Sequence, residues 1–103
     1  MIHVVAVITA KPGQRAHILE AFKTNRAEVL KEDGCIEYNA TIDAAGMPTS
    51  PGSFGDDTFV VIEKWESLPA LQAHAAAPHM KAYGAKVKEW TDKRMIHVLE
   101  PVA

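Results

Sequence analysis

Thiol chemistry is almost missing from this 103-residue sequence. Its one cysteine, Cys35, can form no intrachain disulfide, so a reducing, cytoplasmic location is expected. Charge of one sign is missing too: 11 Lys and Arg against 13 Asp and Glu leave a net charge of -2. A nucleic-acid binder needs a cationic surface to displace counterions, so that class is set aside. No apolar run reaches the roughly 20 residues that cross a bilayer, and no membrane association is expected. The opening "MIHVVAVITAKPG" also lacks the basic segment and small-residue cleavage pattern of a signal peptide, so these residues are expected to belong to the fold. "KPGQ" holds a single glycine and makes a turn, not a cradle of amides for phosphate. There is no dinucleotide fingerprint, thiolate cluster or three-ligand metal set, so no cofactor and no metal are expected.

What is present suits one compact domain over residues 1–103, with 48% hydrophobic and 23% charged residues. "IHVVAVIT" is β-branched and stopped by "AKPGQ", and reads as a strand. From Gln14, Ile18, Leu19, Phe22, Val29 and Leu30 recur at roughly helical spacing until Gly34. "CIEYNATID" alternates with period two, setting Ile36, Tyr38, Ala40 and Ile42 on one face. "AAGMPTSPGSFGDD" is a loop and "TFVVIEKWE" a third strand. Ser67 is an N-cap for a helix to about Ala77; Pro78 opens a second helical segment to about Trp90. "RMIHVLE", closed by Pro101, is the fourth strand.

The order βαββαβ predicts an α+β, ferredoxin-like domain with helices on one face of an antiparallel sheet. The first strand is apolar on both faces: Ile2, Val4, Ala6 and Ile8 on one, Val5 and Val7 on the other. An antiparallel sheet with a wet face should alternate cleanly, so the second face needs a cover. Packing against the same sheet of a second copy, a homodimer, is the simplest one.

Five histidines are present, and His74 and His79 flank Pro78. A bend there can turn both rings toward one cavity or send them apart. The plain alternative makes His79 a packing or capping residue and His74 a partly exposed surface residue. Trp65 and Glu63 share a face of the third strand. Trp65 suits a core, whereas an inward Glu63 needs a partner or a raised pKa. Tyr38 and Tyr83 are each either core tyrosines or site residues. Cys35 has no adjacent base and reads as structural.

Four stretches, "KPGQ", "LKEDGCIEYNA", "VVIEKWESLPALQAH" and "PHMKAY", together resemble the antibiotic biosynthesis monooxygenase (ABM) domain family, above all its small bacterial quinol monooxygenases. The resemblance spans nearly the whole chain; "EKWES", "EDGC" and the "AH…PHM" spacing are its most specific pieces. It implies a homodimeric α+β barrel that oxidises quinols or polycyclic phenols with dioxygen, without flavin, haem or metal. It places His79 and His74 as the candidate base, with Trp65, Tyr38 and Tyr83 near the pocket; Glu63 and Asn39 are further candidate substrate contacts. The haem-degrading branch carries a first-strand asparagine that is missing from "IHVVAVIT" and a helix histidine that is missing from "KAYGA". Two other readings stand beside the oxygenase. One is the family's isomerase of a phosphorylated quorum-sensing sugar, although no phosphate motif is evident. The other is a non-catalytic dimeric module that binds small hydrophobic ligands.

Overall fold

The computed structural model describes residues 1–47 and 52–103. Strands β1 (Ile2–Ala10), β2 (Cys35–Thr41), β3 (Thr58–Trp65) and β4 (Thr91–Leu99) form one antiparallel sheet in the order β2-β3-β1-β4. Helices α1 (Arg15–Leu30), α2 (Leu68–Ala76) and α3 (Pro78–Val87), and a 3-10 turn over Lys88–Trp90, complete the chain. This is the expected α+β, ferredoxin-like order, with its second helical unit split in two. The centre of the expected loop, residues 48–51, lies outside the described residues.

The sequence pattern explains most of the packing. α1 buries Ile18, Ala21, Phe22 and Val29, one stripe at helical spacing, against the inward residues Val4, Ala6, Phe59 and Val61. Each such apolar side chain contributes about 1.5–3 kcal/mol on burial. Leu30, expected in that stripe, is instead exposed at the helix end. Ile36 also departs from expectation. The pairing of β2 with β3 shifts register between Cys35 and Glu37, and this irregularity turns Ile36 out of the face that buries Tyr38. β4 starts at Thr91, three residues before the expected Arg94. It pairs with the whole of β1, from Ala10 opposite Thr91 to His3 opposite Leu99, so its length follows its partner.

Local devices at the two ends of α2 and at the α1–β2 corner position the functional residues. Ser67 accepts a hydrogen bond from the Ala70 amide and caps α2 as expected. Ala77, at φ −64 and ψ 139, is extended because a residue before proline is excluded from the helical region, and Pro78 then starts α3. The device at the corner is Gly34, at φ +85. A Cβ there would stand 2.6 Å from the Ala70 Cβ, so only glycine lets the α1–β2 corner approach α2 this closely.

Candidate active site

Glu63 and Trp65 alternate onto the inner face of β3, as their spacing predicted, and both are buried. The indole Nε1–H of Trp65 donates to Glu63 Oε1 at 2.9 Å. Lys64, on the opposite face, pairs with Glu37 at 3.6 Å. Above the strand, His74 in the last turn of α2 is only 5% exposed, not the surface residue that its plain alternative described. Its ring packs 4.6 Å from the Trp65 ring and 5.4 Å from the Tyr38 ring.

The bend at Pro78 brings the two histidines together on a residue the sequence reading did not single out, Glu32. His74 Nδ1 and His79 Nε2 each lie 2.9 Å from Glu32 Oε2. An ionised carboxylate only accepts hydrogen bonds, so with Glu32 charged both nitrogens carry hydrogen. The remaining nitrogen of a neutral His74, Nε2, is then a free base. Nε2 has no hydrogen-bond partner among the described residues, yet none of their buried side-chain N or O atoms lacks one. Nε2 therefore reaches open space. One signal for Glu32 was available in "LKEDGC": an acidic residue just past a helix C-terminus sits against the negative end of the helix dipole. Such a placement asks for a reason, and here the reason is two imidazoles.

His74 lines a cavity of about 590 Å³ between the sheet and helices α2 and α3. Apolar side chains dominate its wall, and Tyr38, Glu63, His74 and Tyr83 converge on it. That size and character suit a small aromatic ligand. Trp65 stands behind the wall, in contact with His74, and does not line the cavity. His79 does not line it either; its side chain is 26% exposed and meets Glu32 from outside. Asn39 is exposed, and its amide oxygen accepts from Arg26 Nη2 at 2.9 Å, away from the cavity. Four of the seven expected site residues thus share one hollow.

Electrostatics divide their roles. Burial pushes the Glu63 carboxyl above its ordinary value, against the Trp65 hydrogen bond and the His74 ring, and Glu32 adds to the rise. Burial, then the charge of Glu63, raises the Tyr38 phenol far above its ordinary value. Tyr83 is pushed up to about 12 by burial, with Arg94 pulling the other way. Both phenols stay protonated near neutrality and can only donate or accept hydrogen bonds. The Cys35 thiol is raised by burial and by Glu32 and Glu63, which suits a structural residue and not a nucleophile. No group of three His, Cys, Asp or Glu among the described residues is arranged to hold a metal ion. No helix among them is long and apolar enough to cross a membrane.

Comparison with known proteins bears on the family and the fold. The chain is 42% identical over 104 residues to the probable quinol monooxygenase YgiN of Escherichia coli K12, covering 98% of each chain. A crystal structure from Caulobacter crescentus CB15 superposes with a TM-score of 0.83 at 26% identity, covering 99% of this chain and 90% of that one. Rv0793 of Mycobacterium tuberculosis gives a TM-score of 0.80 at 25% identity, covering 99% and 95%. The family profile for antibiotic biosynthesis monooxygenases matches residues 1–86, and the chain belongs to that family.

Proposed function

We propose that this chain is a cofactor-independent monooxygenase that oxidises a quinol or polycyclic phenol with dioxygen, using His74 as its base. The observation that carries this reading is the Glu32–His74 pair at the wall of an apolar, aromatic cavity. Dioxygen reacts slowly with a neutral closed-shell phenol, whereas a phenolate is electron-rich enough to transfer an electron to it. The protein then needs a base for the phenolic proton and a water-poor site for the ring. His74 Nε2 takes the proton, and Glu32 balances the imidazolium charge. One electron passes to dioxygen, and the two radicals combine at a ring carbon. The peroxide takes back the proton held on His74, and cleavage of the O–O bond with loss of the hydrogen from that ring carbon leaves one oxygen on the ring and releases the other as water. For a quinol the sum is QH2 + O2 giving a hydroxylated quinone and H2O, with no external reductant.

Between the two histidines, cavity access favours His74, and His79 is the outer partner of Glu32. An oxygen electrode with a panel of quinols tests the reading. Uptake should follow quinol addition and fall by about 100- to 10,000-fold in His74→Ala. Tight quinol binding without oxygen uptake would identify a carrier module, and oxygen-independent conversion of a sugar phosphate would identify an isomerase.

The same reading includes a homodimer. The outer sheet face carries half-buried Val5, Val7 and Ile62, and Met95 there is 62% exposed, a row that a second sheet could cover. Sedimentation at micromolar concentration should give about twice the chain mass, and a clean monomer would refute the pairing.

A further inference from the structure

A second hollow, of about 640 Å³, adjoins the first. Ile8, Tyr83, Gly84 and Arg94 line both, so the two form one trough. Their characters differ. The inner lobe holds the aromatic rings and His74 along with Glu63 and Lys81, whereas Lys88, Lys93 and Arg94 line the outer lobe with a single carboxylate, Asp92. The chain as a whole carries a net charge of -2, so this local excess of cations runs against the average. Arg94 lies opposite Ile8 in the β1–β4 pairing, on the inner face. It is exposed and, like Lys81, Lys88 and Lys93 beside it, makes no ion pair or hydrogen bond among the described residues.

Gly84 marks the junction between the lobes. Glycine inside a helix costs about 1 kcal/mol relative to alanine. Nothing lies within 4 Å of where a Cβ at Gly84 would be, so no packing contact excludes a larger residue. Its bareness is explained if the passage between the lobes must stay open.

We infer that the outer lobe is an anion subsite, in which Arg94 binds a carboxylate or similar group on an aromatic substrate whose ring occupies the inner lobe. The planar guanidinium can hold a carboxylate with two parallel N–H donors, which lysine cannot do. The inference rests on the proposed aromatic role of the inner lobe and adds a substrate class, the acidic phenols and quinols.

Calorimetric titration of the full chain tests it without turnover, using naphthalene-2-carboxylate, its methyl ester and ribose 5-phosphate. The carboxylate should bind about tenfold tighter than the ester, and added salt should narrow the gap. In Arg94→Gln the ratio of the two affinities should fall toward one, with Arg94→Lys in between. Gly84→Leu, which fills the junction, should also reduce the ratio. If the ester binds and the carboxylate gains nothing, the anion subsite is refuted while the aromatic site stands. A ratio that survives Arg94→Gln refutes the role of Arg94. If neither naphthalene binds, the aromatic reading falls and takes the inference with it. Ribose 5-phosphate binding tighter than the naphthoate would overturn the aromatic half and point to a phosphorylated sugar.

Discussion

Replacing Glu32 with glutamine separates a base held by a carboxylate from a histidine that merely packs. The glutamine has nearly the same volume and keeps one oxygen acceptor, but it carries no charge. In the native site one oxygen lies 2.9 Å from a ring nitrogen of each imidazole, and when Glu32 is ionised it accepts from both. Hydrogen bonds to a charged group are worth about 1.5–3 kcal/mol and neutral ones about 0.5–1.5 kcal/mol. The Glu32 side chain is 14% exposed, so solvent screens it only in part. The difference, on the order of 1–2 kcal/mol, falls on the imidazolium formed when His74 takes a proton, and predicts a loss in kcat of about 5- to 30-fold. The change should appear in kcat more than in KM, because the charge develops after binding. Steady-state oxygen uptake against quinol concentration measures both quantities. An unchanged kcat in a folded Glu32→Gln protein would refute the dyad. A rise in KM with kcat unchanged would reduce Glu32 to a structural contact.

Three other outcomes are expected. His79→Ala should lose less activity than His74→Ala in the same oxygen-uptake assay, since His79 meets Glu32 and does not line the cavity; the reverse order would restore His79 as the base. Glu63→Gln bears on stability. A carboxyl whose folded pKa is raised stabilises the fold fully below its unfolded pKa, and this contribution is lost as pH rises through the folded value. The variant keeps an acceptor for Trp65, so its melting temperature should exceed the native one near neutrality, with the gain shrinking toward acid pH; equal destabilisation at both would show that the charge is compensated. Gly34→Ala should cost about 1–3 kcal/mol by denaturant titration, from the left-handed backbone and the clash with Ala70 together, and a cost near zero would mean the α1–β2 corner can relax.

The order of elements was legible in the sequence because it depends on local periodicity and punctuation. The β-branched run of β1, the helical stripe from Ile18 to Val29, the cap at Ser67 and the break at Pro78 are each decided by backbone sterics and by one apolar face. That Glu63 and Trp65 share one face of β3 was legible for the same reason, since strand alternation alone sets it; that this face is the buried one came from the fold. The register shift at Ile36 was not, because it arises only when β2 pairs with β3. The site itself depends on long-range contact. Glu32 lies 42 residues from His74 and 47 from His79, and no local pattern records that one carboxylate oxygen serves both rings. That meeting needs Gly34 to let the corner close on Ala70 and Ala77 to turn α3 away from α2. Arg94 stayed hidden likewise: in "RMIHVLE" it is one more charge on a strand, and only the pairing with β1 turns it toward the cavity. The sequence by itself determined which residues share a strand face or a helix stripe; tertiary packing decided which face turns inward and which residues meet, because the distance between residues far apart in the chain is set by the whole fold and not by either segment.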